Sequence, residues 1–268
     1  MKRALLIFTI AFIAGCAGTN PGSGPGTSSG AGLATAPVID QATAGIQEKS
    51  AKTHTELGIL YLQAGNLSVA LEEARIAAAT DPTYAPALNL LGLVHFMLNE
   101  TPQARASFER AIQLAPGDPQ IANDYGWFLC QTGREPEAFK FFEAAARNPH
   151  YRTPTRPYTN AGLCYLRIKD EKAAELNFQR AVMVDGSNAQ AIYHLANLYF
   201  QRGDLINAKR LLSELHRQIE PNAGSLWLGV RIERKIGDRQ AEASLSSQLR
   251  RKFAGTPEHE ALMQGKFE

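Results

Sequence analysis

Residues 85–118 read APALNLLGLVHFMLNETPQARASFERAIQLAPGD, and the same layout recurs on both sides of them. Gly92 belongs to a series Gly58, Gly92, Gly126, Gly162 and Ala196, spaced by 34, 34, 36 and 34 residues. Ala104 belongs to a second series, Ala70, Ala104, Ala138, Ala174 and Ala208, with the same steps. Between each such pair lies a turn signal: QAGN at 63–66, LNET at 98–101, QTGR at 131–134, IKDE at 168–171 and QRGD at 201–204. Two coincident series with a turn between them mean helix, turn, helix in each unit. A small residue on the first helix facing Ala on the second lets two backbones approach, while Leu, Tyr and Phe fill the outer gaps. Pro82, Pro116 and Pro149 stop the second helices of the first three units, because proline lacks the N–H a helix needs.

This period and pattern resemble the tetratricopeptide repeat (TPR), which implies an all-α superhelical solenoid of about six helix-turn-helix units. Five units fall near 51–84, 85–118, 119–152, 155–188 and 189–222, with two extra residues near Thr153 and Pro154. A degenerate sixth at 223–253 departs from the spacing and is expected to cap the array. The solenoid then occupies 50–253, and 254–268 is a C-terminal tail.

Upstream, Lys2 and Arg3 precede an apolar run from Ala4 to Ala14 that ends in FIAGCAG at 12–18. The run is too short to span a bilayer, which takes ~20 apolar residues, and its basic start and small-residue end read as a signal peptide over 1–15. Ile13, Ala14, Gly15 and Cys16 resemble the lipobox of bacterial lipoproteins, which implies that Cys16 becomes the lipidated first residue. Ala17, where such lipoproteins destined for the inner membrane tend to carry Asp, implies the outer membrane, with the solenoid in the periplasm. Residues 16–49 are rich in Gly, Pro, Ser and Thr near their start and are expected to form a flexible linker with about 30 Å of typical reach.

The chain has 28 Lys and Arg against 26 Asp and Glu; without Lys2 and Arg3 the count is 26 against 26. A neutral mature chain gives no support for a nucleic-acid partner. His54, His95, His150, His194, His216 and His259 are scattered and show no metal-ligand spacing, and His95 and His194 read as helix-packing residues. No nucleophile elbow appears, and Glu72 with Glu73 reads as a solvated helix face. These features point away from an enzyme, a cofactor, a metal or a small-molecule substrate.

In a TPR scaffold the concave face, lined by first helices, is the place to look for function. Repeat positions 5, 9 and 12 lie one turn apart on it. They hold Thr55, Ile59 and Leu62 in the first unit, Asn89, Leu93 and Phe96 in the second, and Asn123, Trp127 and Cys130 in the third. The fourth unit gives Thr159, Leu163 and Leu166, and the fifth Tyr193, Asn197 and Phe200. With Met97, these predict an apolar groove rimmed by amides and hydroxyls, suited to the apolar side of an amphipathic helix. The expected contacts are Ile59, Leu62, Leu93, Phe96, Met97, Trp127, Leu163 and Leu166, with Asn89 and Asn123 on the rim. A basic clamp for an acidic tail finds only Lys52 and Arg156, two or more units apart.

Cys130 and Cys164 lie on first helices of neighbouring units, at repeat positions 12 and 10. In an oxidising periplasm they either bridge or remain as free buried thiols, depending on how the two-residue insertion shifts the packing.

The lipobox, the repeats, the stretch NDYGWFLCQTGREPEAFKFFEAAARNPHY in the third unit and the tail QLRRKFAGTPEHEALMQGKFE together resemble the type IV pilus biogenesis/stability lipoproteins, the pilotin family. The resemblance implies a non-enzymatic protein that escorts the pilus secretin subunit to the outer membrane and promotes its multimerisation. Other TPR lipoproteins act as adaptors in outer-membrane protein assembly or peptidoglycan synthesis, which is the alternative role.

Overall fold

The structure is a computed structural model that describes residues 38–267. The repeat array lies within the compact unit Ala42–Glu268. The described secondary structure is helical throughout: α1 (Val38–Gln63), α2 (Leu67–Thr80), α3 (Ala85–Met97), α4 (Thr101–Leu114), α5 (Pro119–Gln131), α6 (Glu135–Arg147) and α7 (Thr155–Arg167). It continues with α8 (Glu171–Val184), α9 (Ala189–Arg202), α10 (Leu205–Gln218), α11 (Ala223–Ile236), α12 (Arg239–Lys252) and α13 (Pro257–Met263). No described helix is long and apolar enough to cross a membrane.

Local chemistry sets the boundaries. Asn66, Asp118, Asp170, Asn188, Asp204, Asn222 and Asp238 each cap the helix that follows with a side-chain oxygen. Pro86, Pro102, Pro119 and Pro136 stand in first turns, where a missing N–H costs nothing. The prolines expected to end second helices lie just beyond Thr80, Leu114 and Arg147. Each turn within a unit contains a left-handed residue, and in the second and fourth units it is not glycine but Asn99 and Lys169, both at φ 61°.

Within the second, third and fourth units the two helices are held close by a glycine under a ring. A Cβ on Gly92 would lie 2.8 Å from the Phe108 ring, on Gly126 2.9 Å from Phe142, and on Gly162 2.6 Å from Phe178. The rings are fully or almost fully buried. Between units, α3 packs on α5, α5 on α7 and α9 on α11, while second helices pack chiefly against the first helices of the next unit. Every one of these contacts between units involves a first helix, and in a solenoid stacked this way the first helices line the inner face.

Two features differ from the sequence reading. Helix α1 begins at Val38, so the expected linker 16–49 gives way to helix well before residue 50. Residues 38–63 lack proline and carry helix-forming Ala, Gln, Glu and Lys, which carries the helix of the first unit upstream. The degenerate sixth unit is a helical pair, α11 packed on α12. And 254–268 is not merely a tail: Leu262 of α13 is buried with Leu226, Val230 and Leu249, and Phe267 packs on Trp227 at 5.4 Å between ring centres. This closes the apolar end of the array.

Candidate functional site

The candidate inner surface is formed by first-helix side chains at repeat positions 9, 12 and 13. Position 9 runs Ile59, Leu93, Trp127, Leu163, Asn197 and Arg231, and position 12 runs Leu62, Phe96, Cys130, Leu166, Phe200 and Arg234, of which Cys130 and Phe200 are buried and present no open face, contrary to the sequence expectation. Position 13 contributes Met97, whose side chain is exposed at 51 %. Ile59 is also exposed. Leu62, Leu93, Phe96, Trp127, Leu163 and Leu166 are half-buried, one flank packed in the seams between units and the other open to the inner face. Phe96, for example, meets the edge of Phe128 at 5.5 Å. A half-buried aromatic strip of this kind is already desolvated on one side and held in place, which lowers the entropic cost of gripping an apolar partner.

Asn89 and Asn123 do not form the expected rim. They are buried, Asn123 completely, and belong to a polar seam that ties the second, third and fourth units together. Asn89 Nδ2 donates to Asp124 Oδ2 (3.0 Å), Gln120 Nε2 to the same oxygen (2.7 Å) and Asn123 Nδ2 to Asp124 Oδ1 (3.1 Å). Asn160 Nδ2 of the fourth unit donates to Asn123 Oδ1 (3.0 Å), and Arg156 pairs with Asp124 at 3.6 Å. Position 5 leans on the next unit rather than on solvent, so polar groups placed there must be satisfied across the seam. The same holds for Thr159, buried and accepting from Asn188 Nδ2 at 3.0 Å. Arg156, one half of the clamp considered above, is thus engaged by the seam. The signal for it was present in the sequence as amides and an acid at positions 5 and 6 of successive units.

Cys130 and Cys164 are fully buried, and the structure joins them as a disulfide with 5.9 Å between Cα atoms. The bridge links α5 to α7 across the junction that carries the two-residue insertion. The longer connection there, 148–154, is pinned by Asn148 Nδ2 donating to the Gly117 carbonyl (3.1 Å) and by Tyr151, buried among Ala122 and Ala145. Cys16 lies outside the described residues.

The histidines are spread through the packing. Nδ1 of His54 lies 2.6 Å from Glu73, and Nδ1 of His95 2.5 Å from Glu100. His194 stacks on Phe178 at 5.3 Å, and burial pushes it and His216 below the ordinary histidine value. Among the described residues no group of three or more His, Cys, Asp or Glu could hold a metal ion.

Comparison with known proteins agrees with this architecture. Tetratricopeptide-repeat family patterns match residues 55–119, 98–152 and 155–188. Type IV pilus assembly protein PilF of Pseudomonas aeruginosa is 26% identical over 214 residues, covering 80% of this chain and 85% of that protein. The solved structure of Pseudomonas aeruginosa PilF superposes with a TM-score of 0.72 over 82% of this chain and 99% of that one, at 26% identity. That of PilW, described as a widely conserved type IV pilus biogenesis factor, superposes with a TM-score of 0.71 at 26% identity, over 80% of this chain and 98% of that one. In fold the chain is an all-α tetratricopeptide-repeat solenoid, and it is a relative of PilF and PilW.

Proposed function

We propose that this protein is a type IV pilus biogenesis factor of the pilotin kind. It acts without catalysis: an outer-membrane lipid on Cys16 supplies the address, and the inner groove binds an amphipathic segment of the pilus secretin subunit. Holding that segment masks apolar surface that would aggregate before insertion, and delivery at the outer membrane favours multimerisation. The observation that carries the reading is the continuous strip Ile59, Leu93, Phe96, Met97 and Trp127, open along first helices and backed by a rigid seam. Relatedness to PilF and PilW over some four-fifths of the chain supports the pilus as its setting. The test is direct binding of the secretin subunit to the soluble solenoid with and without Met97→Glu. Met97 is exposed, so the substitution is expected to leave the fold intact; the reading expects binding to be lost, and unchanged binding moves the site elsewhere.

A further inference from the structure

The inner rows change character along the array. Position 9 is apolar through four units, then becomes Asn197 and finally Arg231; position 12 ends in Arg234. Lys235 follows at position 13. The Arg231 guanidinium and the Lys235 ammonium both lie against the Phe200 ring, at 4.5 and 4.6 Å from its centre. Neither has a carboxylate within ion-pair distance among the described residues, whereas Arg234 pairs with Glu242 at 2.8 Å. Arg231 donates instead to the Phe267 carbonyl at 3.3 Å, and Phe267 itself fills the space between Trp227 and Arg234. The apolar sites of the sixth unit are therefore taken by the chain's own C-terminal segment. What this end still offers a partner is positive charge on an aromatic floor, tempered by Glu258 near Tyr193.

We infer that the groove is polar along its length and that its occupant is an amphipathic helix with acidic side chains clustered at the end lying over the fifth and sixth units, bound in one direction. Adjacent helices pack about 10 Å apart, so a helix of ~20 residues, ~30 Å long, reaches from Trp127 in the third unit to Arg231 in the sixth. Its apolar face meets Trp127, Leu163 and Leu166, and its carboxylates meet Arg231 and Lys235. Burial lowers the pKa of Arg231, as expected for a cation without a counter-ion. Charge placed at one end of an apolar groove contributes direction and selectivity more than raw affinity. This inference rests on the groove being the binding site.

Overlapping peptides of about 25 residues tiling the secretin subunit are titrated against the solenoid by fluorescence anisotropy, and the tightest binder is remade with its Asp and Glu as Asn and Gln. The inference expects a terminal acidic cluster in that binder, about tenfold weaker binding on neutralisation, and a matching loss with Arg231→Gln/Lys235→Gln that is not compounded when both changes are combined. Lys235→Gln alone, exposed and clear of Phe267, guards against a loosened C-terminal segment and should show part of the same loss. A binder without acidic residues, or one indifferent to neutralisation and to both variants, overturns the polarity while leaving the groove in place. If no peptide binds, the groove reading itself fails, and the polarity with it.

Discussion

A Cβ atom on Gly162 would sit 2.6 Å from Cε1 of Phe178, closer than any real contact of that kind. Phe178 is fully buried and cannot swing away. Gly162→Ala therefore forces the helices of the fourth unit apart and should cost about 1–3 kcal/mol by overpacking. Chemical denaturation reads this directly, and Gly224→Ala, where the nearest atom would be 3.5 Å away, should show little of it.

The Cys130–Cys164 bridge closes a loop with a sequence separation of 34 across the inserted junction. A cross-link of that span is worth roughly 3–4 kcal/mol in the chain-entropy account. Cys130→Ser/Cys164→Ser should lower stability by about that much in non-reducing buffer and equal the reduced wild type. Mass spectrometry of the unreduced protein should find neither thiol open to alkylation.

Asp124 gathers three amide donors and Arg156 in a buried seam. Asp124→Ala strands the donors of Asn89 and Asn123 without water and should cost about 3 kcal/mol. Arg156 is half-exposed, so Arg156→Ala should cost clearly less, about 1 kcal/mol. Equal losses in paired denaturation curves would show that the ion pair, not the amide network, holds the seam.

Burial depresses His194 and His216 below the ordinary 6.5. The unfolded chain then binds more protons than the folded one in the window below 6.5. Their contribution to stability is intact above that value and is lost as pH falls through it toward the folded-state values. Thermal melts from about pH 7.5 to about pH 5 should therefore slope more steeply for the wild type than for His194→Gln/His216→Gln. Parallel slopes would contradict the assignment.

Phe96 and Trp127 are the aromatic members of the strip nearest its centre. If they anchor the partner, Trp127→Ala or Phe96→Ala should each weaken secretin binding by about 2 kcal/mol. Both also back onto the seam between units, so circular dichroism must show an intact helical signal beside each titration.

The repeat architecture was legible because two small-residue series and the turn signals share one spacing, which only stacked helix pairs explain. The third series, Phe108, Phe142 and Phe178, was harder to read: aromatic residues on amphipathic helices do not announce which glycine they will cover. Asn89 and Asn123 were misplaced for a related reason. Their repeat position is inner-facing within one unit and becomes buried only when the next unit supplies Asp124 or Asn160. Helix α13 and Phe267 could not be located at all from the repeat, since a capping segment obeys no period. The apolar groove residues need no such long-range partner: Ile59 and Met97 are exposed, and Leu62, Leu93, Phe96, Trp127, Leu163 and Leu166 are half-buried.

The most direct test of the central claim is the location and multimer state of the pilus secretin in cells lacking this protein, compared with cells carrying Met97→Glu or Cys16→Ser. The account predicts that multimers are lost in the deletion and with Met97→Glu, and persist but are mislocalised with Cys16→Ser. Normal secretin multimers in the outer membrane of the deletion strain would contradict it.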